Sequence, residues 1–181
     1  MTVASESTDA YLTDEIRVLV GQKSEWMRAP HPVEGSEVRR FFHATMELHA
    51  KYIDDDWAAQ SRYRKRVAPI GFPVHAFRRG PLDTDPLERM DDPDFDGVSR
   101  SFRPGLPPVP IPLPGILNGG YEYELYSHVH HGEEMLMRSN YASFVEREGR
   151  SGRMVFIAIE DEFRTAEGRP LLHSVNTMIL R

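Results

Sequence analysis

Carboxylates and imidazoles lie close together along two stretches of this 181-residue chain. In the first, Glu47 stands two residues before His49, and His43 lies about one and a half helical turns earlier than that pair. A carboxylate and an imidazole within reach of one substrate are a common means of moving protons near neutral pH, although a histidine on a helix surface reads first as structural. In the second, His128, His130 and His131 precede Glu133 and Glu134. Alternation along a strand would put His128 and His130 on one face, a spacing that can serve a metal. Gly132 marks the stretch as a hairpin turn, however, and the expectation is solvated turn histidines and no metal. Glu160, Asp161 and Glu162 form a third acidic group in which only Glu160 and Glu162 share a strand face, so a solvated sheet surface is expected there. Cysteine is absent, which removes thiolate nucleophiles, cysteine metal ligands and disulfides together.

The bulk composition narrows the partners. The net charge is −6, and the 22 lysines and arginines are spread along the chain instead of gathered into a tract, so nucleic acid is not an expected partner. No apolar run approaches the roughly 20 residues needed to cross a bilayer, so no membrane span is expected. Met1 to Leu12 is polar and acidic and has none of the features of a leader, which makes a cytoplasmic location the expectation. With 40% hydrophobic residues, the chain suits one domain with a real core.

The elements that must position these groups change in kind along the chain. Residues 1–11 have little to bury and read as a disordered tail, with a single domain over 12–181. From Thr13, two acids followed by Ile16, Leu19 and Val20 at helical spacing predict a short helix stopped by Gly21. Ser36 to His49 places Val38, Phe41, Phe42, Thr45 and Leu48 on one face, which predicts a second helix with Ser36 as its cap. Asp54 to Arg64 opens with three acids and ends in cations, matching a helix macrodipole. Phe72 to Arg79 predicts a buried helix, since Pro73 is tolerable only in a first turn. Residues 80–115 hold most of the chain's 14 prolines and read as an insertion loop, partly polyproline II. Four β-rich runs follow, Leu117 to Ser127, Met135 to Glu146, Arg153 to Thr165 and Leu171 to Leu180, with Gly-containing separators HHGEE, REGRSG and AEGRP that predict a four-stranded antiparallel meander. Helices followed by such strands indicate an α+β fold.

Four phrases in this order resemble the MaoC-like dehydratase family, and in particular its N-terminal-type, non-catalytic hot-dog domains. They are the helix leading into Tyr52-Ile53-Asp54-Asp55-Asp56-Trp57-Ala58, then Val67-Ala68-Pro69, then Gly119-Gly120-Tyr121-Glu122-Tyr123-Glu124, and His130-His131-Gly132-Glu133-Glu134. The resemblance runs from about residue 12 to the C-terminus and leaves the Pro-rich insertion outside it. It implies a hot-dog fold, in which an antiparallel sheet wraps a central helix. It also implies (R)-specific hydration of enoyl thioesters or dehydration of 3-hydroxyacyl thioesters carried on coenzyme A or acyl carrier protein, with no other cofactor.

In active members of that family a water is held by an Asp and by a His five residues later, with another Asp two residues beyond. Anchoring the last of these on Asp54 puts Tyr52 at the His position and Glu47 at the Asp position. A phenol with an ordinary pKa near 10 is no neutral-pH base, so the dyad is substituted at both positions. Non-catalytic halves of the family resemble this sequence in having Tyr there, which implies a catalytic hot-dog partner subunit, with a homodimer as the alternative. The thioester oxygen is expected at the helix start around Gly71 and Phe72. Arg64 and Arg66, in the patch Arg62-Arg64-Lys65-Arg66, are candidates for the carrier's phosphates or simply cations that finish a helix. Asn118, Gly119 and Gly120 either let an acyl chain approach a strand or form a β-bulge. The insertion, with Ile111, Leu113, Ile116 and Leu117 at its end, is expected over the acyl tunnel or on the partner. A non-catalytic acyl-thioester binding module and a hot-dog thioesterase using Glu47 are the rival readings.

Overall fold

The computed structural model of the chain describes residues 10–77, 91, 93, 102–150 and 152–181. Its elements are α1 (Asp14–Arg17), β1 (Met27–Arg28), α2 (Gly35–Ala44), α3 (Ala50–Ile53), α4 (Asp55–Gln60), α5 (Phe72–Ala76), β2 (Ile116–Leu125), β3 (Met135–Gly149), β4 (Gly152–Thr165) and β5 (Pro170–Leu180). The acids predicted to start α4 do so: the Asp54 carboxylate accepts the Trp57 N–H at 2.9 Å, satisfying a donor that the first helical turn leaves unpaired. Glu34, not Ser36, occupies the cap position of α2. The helix also ends earlier than predicted, because Met46 takes a left-handed backbone with φ 56 and turns the chain out. The buried helix is realised as α5 over Phe72–Ala76, and the rest of its predicted span lies outside the described residues.

The strands form one antiparallel sheet in the order β1-β3-β4-β5-β2. This corrects the predicted meander at one point. β3, β4 and β5 are sequential hairpin neighbours, but β2 pairs with β5 along its length and not with β3. The HHGEE separator therefore carries the chain from one edge of the sheet across to β3, where a local Gly-containing turn had been read as a hairpin. β1, too short to register as a period-2 pattern, pairs with β3 on the far side.

Alternate residues of β4 (Val155, Ile157, Ile159, Asp161, Phe163 and Thr165) are all buried, so one face of the sheet is the core face. On it lie two apolar clusters. One packs Phe42 of α2, Tyr52 of α3 and Phe72 of α5 against Met137, Phe163 and Leu172. The other packs Ile16 and Leu19 from the α1 region and Leu106, Val109, Ile111 and Leu113 against Tyr141, Val155, Ile157 and Leu180. The C-terminal part of the insertion is thus part of this domain's own core, whereas the sequence had suggested a cover for the tunnel or partner. Each of its buried aliphatic side chains contributes about 1.5–3 kcal/mol by leaving water. Residues 78–90 lie outside the described residues, as do all but Asp91 and Pro93 of 91–101. The end of the expected tail is also tied down, since the Ala10 and Tyr11 N–H groups donate to the Glu146 carboxylate at 3.1 and 2.9 Å.

Between the clusters the core face is polar. Asp161, which alternation sets on the face opposite Glu160 and Glu162, is buried there because it shares the face of Ile159 and Phe163. The Arg103 guanidinium donates to both its oxygens at 2.9–3.0 Å, and the Ser139 hydroxyl donates at 2.7 Å. An ion pair so placed is satisfied on every side that the sheet leaves open.

Candidate functional site

Glu47 leaves the end of α2 with its N–H donating to Phe42 O at 3.0 Å. Two residues on, the His49 imidazole caps α3 by accepting the Lys51 N–H at 3.1 Å, so this histidine is used structurally. The short helix turns Tyr52 inward, where its ring stacks on Phe42 with centroids 6.0 Å apart and its hydroxyl donates to the Glu47 carboxylate. Lys51 Nζ stands 3.8 Å from the same carboxylate and 4.8 Å from the Tyr52 ring centre. The two substituted dyad positions do meet. Burial, and then the bond to Glu47, push the Tyr52 phenol well above its ordinary pKa of 10. It remains a proton donor at neutral pH and accepts no proton from water.

The helix start that was expected to hold the thioester oxygen is closely engaged by its own chain. Gly71 is the cap of α5, and the Phe72 N–H donates to Pro69 O at 2.9 Å. A cavity of about 370 Å³ opens beside it, with Phe41, Gly71, Val74, Tyr123 and Leu125 among its lining, and is largely apolar. It shares Ile70 with a second cavity of about 430 Å³, which Arg62, Tyr63, His128 and Arg169 line. An apolar end and a cationic end therefore adjoin next to α5.

His128 is half-buried instead of a solvated turn residue. Its Nδ1 donates to Ala68 O at 2.8 Å, a carbonyl that can only accept, and its ring stands edge-on to Tyr63 at 5.2 Å. Burial lowers its pKa below the ordinary 6.5. His130 is likewise built in: its N–H donates to Glu133 Oε2 at 2.8 Å, and Nη2 of Arg169 donates to the same oxygen at 2.5 Å. Burial works to raise the Glu133 pKa, but these donors hold it below the usual carboxylate range. Among the described residues no group of three or more histidines and carboxylates is arranged to hold a metal, and no helix is long and apolar enough to cross a membrane.

The remaining predicted residues divide. Arg66 pairs with Asp55 at 2.8 Å and is committed to holding α4, whereas Arg64 is exposed and sits in a left-handed backbone with φ 64. The register shifts between Asn118 and Gly120, so these residues form a β-bulge. A Cβ on Gly119 would stand 3.0 Å from Thr177 O, so the close approach at that point is by strand β5. The Asn118 side chain accepts from the Gly120 N–H and from Asn176 Nδ2 at 3.1 and 3.0 Å.

Sequence reasoning missed Arg169, Tyr63 and the engagement of His128 by Ala68. The only available signal was the Arg in the AEGRP separator, because the contacts join segments 41 and 60 residues apart.

The family model described as the FAS1-like dehydratase domain region matches residues 19–174. No curated protein matches the chain. Among solved structures, the ChsH1-ChsH2 complex from Mycobacterium tuberculosis is similar with a TM-score of 0.64 at 16% identity, covering 87% of this chain and 83% of the other. The HadBC (3R-hydroxyacyl-ACP dehydratase) complex from the same organism gives 0.57 at 17% identity, covering 89% and 96%. A protein called a MaoC-like dehydratase gives 0.59 at 20% identity over 91% of this chain, which spans 42% of that longer one. At such identities the likeness is one of fold, and with the sheet order it establishes the α+β hot-dog.

Proposed function

The chain belongs to the family of FAS1-like dehydratase domain regions, within the MaoC-like hot-dog dehydratases, and from that premise we propose that it is the non-catalytic, substrate-binding half of a thioester hydratase or dehydratase. In this reading a catalytic hot-dog subunit supplies the Asp and His. These remove a proton from water as its oxygen bonds to C3 of an enoyl thioester, and a proton is delivered to C2; dehydration is the reverse. The substrate class is an (R)-3-hydroxyacyl or trans-2-enoyl thioester.

The observation that carries the reading is the Tyr52 hydroxyl bound to Glu47. A buried phenol with a raised pKa cannot replace an imidazole base. A carboxylate that accepts from that phenol and faces Lys51 is poorly placed to activate water, which also weighs against the thioesterase alternative. Similar structures that are complexes of two different chains support a hetero-oligomer. So does the double-length relative, in which a domain of this size accounts for less than half of the chain. The outer edge of β2, on which no strand pairs among the described residues, carries Tyr121 and Tyr123 stacked 5.6 Å apart and exposed Leu125, and is an edge of the kind that a second hot-dog sheet covers.

The test follows the enoyl-thioester absorbance of crotonyl-CoA and of a longer enoyl-CoA with the chain alone and with a catalytic hot-dog subunit. Turnover by the mixture only is the expected result. Turnover by the chain alone would overturn the assignment, and release of free thiol would favour a thioesterase.

A further inference from the structure

We propose that the cleft between residues 61–66 and 126–133 seats the diphosphate and 3′-phosphate of a coenzyme A thioester, an inference that rests on the thioester reading and adds the carrier to it. Two cavities, of about 430 and 580 Å³, meet there and share Tyr63 and His130. Arg62 lines the first, and Arg64 and Lys65 line the second. All three side chains are exposed, and among the described residues none has a carboxylate within ion-pairing distance, in contrast to Arg66, which is held by Asp55.

The cleft's own carboxylate is already compensated. Glu133 accepts from Arg169 at 2.5 Å and from the His130 N–H at 2.8 Å. The three cations therefore leave a surplus of positive charge in a concave site, where an anion is concentrated and held more strongly than on an open surface.

The cations are also positioned. The Arg64 N–H donates to Ser61 O at 3.3 Å and the Tyr63 N–H to Ser61 Oγ at 3.1 Å, closing a tight turn. Within it Arg64 holds its left-handed φ of 64, a conformation that is costly for a residue with a Cβ and persists where its surroundings fix it. Guanidinium groups match phosphate oxygens in geometry as well as charge.

Charge count favours coenzyme A over a carrier protein. The arm of a carrier protein brings a single phosphodiester to the cleft, whereas coenzyme A brings a diphosphate and a phosphomonoester, which suits three cations divided between two cavities. The first cavity shares Ile70 with the apolar one beside Gly71 and Leu125, so a site suited to the acyl end adjoins the one proposed for the phosphates.

The experiment titrates coenzyme A, 3′-dephospho-coenzyme A and 4′-phosphopantetheine by calorimetry into the full chain and into its complex with a catalytic hot-dog subunit. The same titrations are made with the triple variant Arg62→Ala, Arg64→Ala, Lys65→Ala. The expected result is coenzyme A binding that weakens at least tenfold in the triple variant and with added salt, and more weakly bound dephospho-coenzyme A. Equal affinity of variant and parent for coenzyme A would overturn the site, and phosphopantetheine binding as tightly as coenzyme A would overturn the choice of carrier. If coenzyme A binding depends on these residues but no partner yields hydration, the site stands and the hydratase reading falls; hydration of enoyl-CoA with coenzyme A affinity indifferent to the triple variant gives the converse.

Discussion

Tyr52 and Asp161 are both buried polar groups whose partners decide what they can do. Asp161 is held by Arg103 and Ser139 on the core face, and Asp161→Ala leaves the guanidinium uncompensated. It should destabilise the protein by about 3–5 kcal/mol in denaturant unfolding. The half-buried histidines set a pH dependence. Burial lowers the pKa of His128 and of His131 below 6.5. Just below that pH the unfolded chain binds more protons than the folded one, so stability is full above about 6.5 and falls as the pH drops through the folded-state values. Melting temperature against pH should therefore decline on the acid side of 6.5, and His128→Gln should flatten part of that decline; an unchanged profile would exclude His128 as a contributor. The five-residue spacing of Glu47 and Tyr52 was legible in the sequence as a pair of dyad positions. The burial of Asp161 was not, because alternation gives the relative faces of neighbouring residues but not which face is the core, and its arginine lies 58 residues away.

Among the elements, β3, β4 and β5 could be read to within a few residues because alternating burial and tight Gly-containing turns are local signals. The pairing of β2 with β5 was not legible. Its side chains are mostly exposed, so its pattern names no partner, and the paired residues lie 47 to 64 positions apart. The insertion misled for a similar reason: proline prevents regular structure but not burial, and Ile111 is 1% exposed without belonging to helix or strand. Truncating it to Ala should cost about 2–5 kcal/mol, as for any filled core site. At the β2 bulge, Gly119→Ala should cost about 1–3 kcal/mol, since the added methyl meets the β5 backbone at 3.0 Å and can be relieved only by moving the strand. Unfolding midpoints of the two variants measure both effects, and a Gly119→Ala midpoint equal to that of the parent would show that the edge strand shifts freely.

At the scale of the whole molecule, the sheet ends in β2, on whose outer edge no strand pairs among the described residues, and its exposed aromatic residues lie next to the apolar cavity at α5. If that edge joins a catalytic subunit, Tyr123→Lys should weaken the complex at least tenfold, measured by sedimentation of the mixture, while the melting temperature of the chain alone changes little. The division of labour between the two subunits is tested most directly by the hydration rate of the assembled complex carrying Glu47→Gln in this chain. Glu47 is half exposed, with 51% of its side chain accessible, so the substitution leaves the core intact. The predicted result is a kcat within about twofold of the parent complex. A fall of about 100-fold or more, the scale expected on loss of a general acid or base, would contradict the assignment and place the chemistry on this chain.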